Sequence, residues 1–347
     1  MDMSSFEELI KGPDLSPRPL DEMLQHAAEA QVFHFALKKN LFDELDSQEK
    51  RAAEIAEDWQ ADPRRTAALL DVLVAAGILE KREAGYRNSP LADTFLSKGS
   101  FFCLREVWER RLDSLKGLSQ LEEQLTRPTE RDSCKTPRPP QFDPVAFTKM
   151  MEKNALARGS IYRLSRLISR HPRFYQARRL LDLGGSHGLY GVALCRLHPQ
   201  LEGEVFELPE VAEVTQEYLQ KYRMDHRLSA RGGDMYQEDL GEGYHLVLAV
   251  NVLHRPPEIL QDLMKRVWDS MEKGGVLYLQ HRYLNRFRTA PRYSALFHFN
   301  RVIDVDAFHL PTLREALQAA REPGFVLTGV FRFARGDTCL RLERPRD

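Results

Sequence analysis

The stretch Arg178-Arg179-Leu180-Leu181-Asp182-Leu183-Gly184-Gly185-Ser186-His187-Gly188-Leu189-Tyr190-Gly191 limits what the chain can fold into more than any other. Leu180 to Leu183 is a short apolar run suited to a buried parallel strand, and the glycines break it abruptly. Leu189 to Leu197 then carries apolar side chains at helical spacing and runs into His198-Pro199. Strand, glycine loop and helix follow. Glycines let the backbone turn with positive φ and approach a ligand closely, and a helix start offers free N–H groups.

Three further strand ends recur downstream. Gly203-Glu204-Val205-Phe206-Glu207 ends in an acid about 20 residues on, where such folds use a carboxylate to hold two ribose hydroxyls. Gly232-Gly233-Asp234-Met235 offers a carboxylate and a soft apolar side chain suited to an adenine amino group and ring face, and Tyr244 to His254 is a buried strand ending in a histidine. Polar groups at successive strand ends face one crevice, where open parallel sheets bind ligands.

In order and spacing the chain resembles class I S-adenosylmethionine-dependent methyltransferases, and within them the small-molecule O-methyltransferases that include the caffeic acid and hydroxyindole enzymes. The corresponding words are Asp182-Leu183-Gly184-Gly185-Ser186-His187-Gly188, Glu207-Leu208-Pro209, Gly233-Asp234-Met235 and His254-Arg255-Pro256. The resemblance implies a Rossmann-like α/β methyltransferase sheet with an N-terminal helical, winged-helix-like dimerisation domain. It implies S-adenosylmethionine as donor and S-adenosylhomocysteine as product, with Asp182, Gly184, Gly185, Gly188, Glu207, Asp234, Met235 and Asn251 around the donor. His254 stands where the family's general base stands. Phe147, Met151, Tyr293, Phe297 and His298 are expected to line the acceptor site.

The departures gather at His254. The family's Asp-Trp after the histidine is Arg255-Pro256 here, which sets a cation beside the base and lowers its pKa if close. Of the two glutamates that flank the family's base, one aligns with Gln280 and the other falls near Leu310 or Pro311. His281 is set aside as a substitute, because adjacent strand residues face opposite sides. Ser186 replaces a glycine with another small residue, and His187 is expected to face solvent or the donor's carboxylate.

The remaining chain reads as an arm over residues 1–19, helices over 20–39, 52–59 and 64–76, a hairpin over 78–88 and a closing helix over 90–96. One helix is expected over 101–126, then a proline-rich linker to Pro144. The domain reading is 1–100 for the arm and dimerisation domain, 101–175 for the connector and 176–347 for the methyltransferase domain. Helix, turn, helix, hairpin also suits a DNA-binding regulator, but the body of the second helix, Thr66 to Ala76, has no base-reading side chains. Net charge is −1, which gives no overall basic field for nucleic acid or membrane.

Four scattered cysteines, Cys103, Cys134, Cys195 and Cys339, form no Cys-x-x-Cys pair, and the histidine spacing suits no metal. With no signal peptide and no apolar run of membrane length, a cytoplasmic enzyme is expected. The functional expectation is a homodimeric methyltransferase acting on a small hydroxylated aromatic acceptor. The alternatives are methylation of carbon or donor binding without transfer, as the family's orienting glutamates are absent.

Overall fold

The computed structural model describes residues 15–115, 121–126, 142–305, 308–333 and 337–346. Most of the expected arm and linker, including Cys134, lies outside them. The chain divides into two compact units, Met1–Ser119 and Gln120–Asp347.

The first unit follows the expected pattern. A long helix Arg18–Lys38 is followed by Ala52–Trp59 and Pro63–Ala75, the last capped by Asp62, whose side chain accepts the Arg65 N–H. Strands β1 (Leu79–Lys81) and β2 (Tyr86–Asn88) form an antiparallel hairpin, and Pro90–Phe95 closes it. Leu37, Leu41, Phe42, Ile55, Leu70 and Leu73 make this unit's core. The helix expected over 101–126 starts only at Arg105 and runs to Ser114, because Ser100 holds the preceding turn by accepting the Phe102 N–H on its hydroxyl. A separate helix spans Leu121–Thr126.

The second unit is built on a seven-stranded sheet: β3 (Arg179–Leu183), β4 (Glu202–Glu207), β5 (Leu228–Gly232), β6 (Tyr244–Val250), β7 (Met271–Arg282), β8 (Val326–Arg332) and β9 (Asp337–Glu343). The order is β5-β4-β3-β6-β7-β9-β8, with every strand running the same way except β9, which lies antiparallel between β7 and β8. The period-two pattern decides the layers. Leu181, Leu183, Val247 and Ala249 face one core, and Leu180, Leu246 and Leu248 the other. After β3 the chain moves outward to β4 and β5, then returns to place β6 on the other side of β3. That reversal opens a crevice at the carboxyl ends of β3 and β6.

Two boundaries bear on the site. Strand β7 continues past Gln280 through His281 and Arg282, which pair with Thr338 and Asp337 of β9. Strand β6 ends at Val250, so His254 lies in the loop beyond the strand rather than at its last position.

Candidate functional site

The loop after β3 is fixed by its protein neighbours. Gly184, Ser186 and Gly188 take φ of 66°, 46° and 69°, and Gly184 donates its N–H to Phe206 O at 2.8 Å. A Cβ on Gly184 would stand 2.4 Å from Val252 Cγ1, and one on Gly185 2.5 Å from Asp182 Cγ. Ser186, an L-residue in left-handed backbone, is held from both sides: its N–H donates to Glu207 Oε1 at 3.3 Å and its carbonyl accepts the Thr215 hydroxyl. Gly185→Ala is therefore expected to destabilise the unit by about 1–3 kcal/mol, as overpacking does. Thermal unfolding checks this, and an unchanged Tm would mean that the loop yields freely.

The carboxylates divide the work. Glu207, 8% exposed at the end of β4, accepts the Ser186 N–H and, on Oε2, the Leu208 N–H at 2.8 Å. Asp182 has no exposed surface and lies beneath Gly185; burial pushes its carboxyl up to about 7, the Glu207 charge adds to this and the Gly191 N–H opposes it. Asp234, half-buried beyond β5, accepts the Tyr236 N–H at 2.9 Å and the Gln237 side-chain amide at 3.0 Å. Met235 reaches Gly184, whose Cβ would stand 3.2 Å from its Cε. Asn251 takes φ of 57° and donates its N–H to Gln280 O at 2.8 Å, turning the chain so that Val252 packs over Gly184.

His187 does not face solvent. It is 3% exposed, its Nδ1 accepts the Leu189 N–H at 3.0 Å, and its ring stacks on Tyr190 with centroids 5.9 Å apart. It thus satisfies one free N–H at the start of helix Leu189–Leu197, and burial pushes its pKa down to about 4.

A second group of side chains surrounds His254. Its ring stacks on Phe308 (4.9 Å, 28°) and meets His281 edge-on (4.9 Å, 70°). Phe308 in turn contacts Phe297 at 5.9 Å and His298 at 6.2 Å. The Arg282 guanidinium lies 5.2 Å from the Tyr293 ring and 4.8 Å from the Phe297 ring, and pairs with Asp337 at 3.2 Å. Three of the five expected acceptor residues, Tyr293, Phe297 and His298, therefore join one cluster on helix Arg292–Asp304. Phe147 and Met151 sit on helix Pro144–Ala157, where the Phe147 ring packs against Phe142 at 5.4 Å. Glu152 of that helix, which no motif marks, accepts the Tyr218 and Tyr222 hydroxyls at 2.9 and 3.0 Å and ties it to helix Pro209–Lys221.

The electrostatics differ from the sequence expectation. His254 is held well below the usual imidazole range by burial first, then by His281, Arg301 and Arg282, while the Asn251 carbonyl opposes them. Arg255 is not the cation responsible: its guanidinium lies 5.4 Å from the Tyr236 ring. His281, set aside from strand alternation, does face His254: residues 280 and 281 point to opposite sides of β7, and the histidine loop lies on the side of 281. The carboxylate near residues 310–311 is Glu315, which accepts the Thr312 N–H at 2.7 Å, lies 3.2 Å from His309 and 3.6 Å from Arg288. Phe308 had no motif to mark it. Its position depends on contacts distant in sequence.

Known proteins agree with this geometry. The sequence profile of an O-methyltransferase domain matches residues 143–306, and that of an O-methyltransferase dimerisation domain matches residues 21–98. The chain is 25% identical over 305 residues to a 3-hydroxy-5-methyl-1-naphthoate 3-O-methyltransferase of Streptomyces sahachiroi, covering 83% of each protein. It is 22% identical over 304 residues to an L-tyrosine C(3)-methyltransferase of Streptomyces lavendulae, covering 82% of this chain and 81% of that protein. The crystal structure of human N-acetylserotonin methyltransferase in complex with S-adenosylmethionine shares the fold, with a TM-score of 0.74 at 18% identity over 96% of this chain and 99% of that one. No helix among the described residues is long and apolar enough to cross a membrane. Two matched domains, the sheet order and the glycine loop converge: the chain belongs to the S-adenosylmethionine-dependent O-methyltransferase family, whose members methylate small molecules.

Proposed function

We propose that the protein transfers a methyl group to the hydroxyl of a small, flat aromatic acceptor, with His254 as general base. The observation that carries this reading is the imidazole of His254 stacked on Phe308 within a cluster of aromatic rings and histidines, where burial favours its neutral form. S-Adenosylmethionine supplies an already activated methyl group, so the protein's tasks are alignment and proton removal. A phenol of pKa near 10 is mostly protonated at neutral pH and needs a base. His254 takes the hydroxyl proton while the oxygen's electron pair forms the new C–O bond and the C–S bond breaks; the imidazolium then returns its proton to water. The rings of Phe297, Phe308 and Tyr293 suit a flat acceptor.

On the donor side, Gly184 to Gly188 would shape the methionine end, Glu207 would hold the ribose hydroxyls, and Asp234 with Met235 the adenine. Glu207→Ala is expected to weaken S-adenosylhomocysteine binding in calorimetric titration by about 10- to 100-fold, as loss of hydrogen bonds to a charged group does. Full affinity in that variant would overturn the donor assignment. The match to a dimerisation domain supports a homodimer, and the free thiols Cys103, Cys195 and Cys339 fit a reducing cytoplasm.

A further inference from the structure

The cluster proposed for the acceptor contains a guanidinium as well as rings and histidines. Arg282, the last residue of β7, has 18% of its side chain exposed, and its guanidinium lies against the rings of Tyr293 and Phe297, whose neighbour Phe308 stacks on His254. Rings cover the flat face of a guanidinium and leave its N–H edges as the directions in which it binds. One edge is taken: Nε, which is buried, stands 3.2 Å from Asp337 Oδ1 without the alignment of a hydrogen bond. The outer edge is open. Nη1 and Nη2 meet no acceptor among the described residues, and neither is sealed from solvent. Asp337, set opposite Arg282 by the strand register, is itself divided, because Arg163 and Arg158 act on the same carboxylate.

We propose that Arg282 is a specificity residue: its Nη1 and Nη2 bind a carboxylate that the acceptor carries at the end away from its hydroxyl. This rests on the cluster around His254 being the acceptor site. A planar guanidinium and a carboxylate pair through two parallel N–H···O bonds, so the contact fixes the direction of a flat acceptor as well as its charge. The acid lies at the outer edge of Arg282, the ring system among Phe297 and Phe308, and the hydroxyl towards His254. Charge links the two ends of the site. Arg282 is one of the cations that lower the pKa of His254, and a carboxylate bound to it offsets that effect and makes the imidazole a better proton acceptor.

The test compares para-hydroxybenzoate with its neutral amide, para-hydroxybenzamide, by calorimetric titration into the full-length protein saturated with S-adenosylhomocysteine. The wild type is expected to bind the acid about 10- to 100-fold more tightly than the amide, as charge-assisted hydrogen bonds do. Arg282→Gln should bind the two alike, with its affinity for the amide unchanged, and Arg282→Lys should keep part of the preference as a point charge without the fork. If loss of Arg282 unfolds the domain by stranding Asp337, the double substitution Arg282→Gln with Asp337→Asn removes both charges and carries the same expectation. Equal affinity for acid and amide in the wild type, binding of neither, or a preference that survives the loss of Arg282 would overturn the proposal. The preference without methyl transfer to either compound would leave the anion site standing and count instead against the hydroxyl-methylating reading beneath it.

Discussion

Replacing His254 by alanine is expected to reduce transfer to a phenolic acceptor by about 10²- to 10⁴-fold, the usual contribution of a positioned base. Affinity for S-adenosylhomocysteine should stay as in the wild type, because the residues assigned to the donor lie on the glycine loop and at the ends of β4 and β5. The pH dependence follows from the same environment. Burial, His281, Arg301 and Arg282 lower the pKa of His254, so the ring is neutral and able to accept a proton throughout the neutral range. Activity should rise with pH only on the acidic side of the ordinary imidazole value of about 6.5 and be level above it. An acidic limb at pH 7 or higher would exclude His254 as the titrating base, and undiminished turnover in the alanine variant would leave alignment alone to account for the rate.

Stability is expected to fall steeply as pH drops from 7 towards 5. His187, His254 and His281 are all held below the ordinary imidazole pKa, the first and last down to about 4. Below about pH 6.5 the unfolded chain protonates these rings while the folded protein does not, so acid draws the equilibrium towards the unfolded state. Asp182 acts in the opposite sense. Its folded carboxyl keeps a proton up to about 7 whereas the unfolded one releases it near 3.8, a contribution lost as pH rises through that interval. Asp337, also raised by burial, adds to Asp182. Three histidines against these two carboxyls leave about one proton taken up on unfolding, a slope on the order of 1 kcal/mol per pH unit near pH 5. Urea denaturation at pH 7, 6 and 5 measures it. A flat series would mean that the histidines charge in the folded state, and His281→Phe should make the slope shallower.

The strand ends proposed to hold the donor were legible from local pattern because each is marked by its own residues: Gly184 to Gly188 follow β3, Glu207 closes β4 and Asp234 follows β5. The hairpin and helices of the first unit were legible for the same reason, since Asp62, Pro63 and Pro90 mark helix starts. The cluster around His254, proposed for the acceptor, was only half legible. Helical spacing groups Tyr293, Phe297 and His298, but nothing local brings Phe308 against His254. Alternation itself holds, since Gln280 and His281 pair in unbroken register with β9, but it could not tell that the histidine loop packs on the His281 side. Glu152 was invisible. Its two tyrosine partners are more than sixty residues away in the chain.

The glycines of the loop after β3 are required by Val252, Asp182 and Val205, which leave no room for a side chain at Gly184 or Gly185. Their presence is therefore a condition for the domain to close on itself, before any ligand is considered. A descendant that had abandoned methylation would still be under selection to keep them, so long as it kept the sheet. Among such descendants the glycine motif would record ancestry, and loss of activity would be read first at the residue proposed as base, His254, rather than at the glycines or at Glu207, which holds the Ser186 N–H.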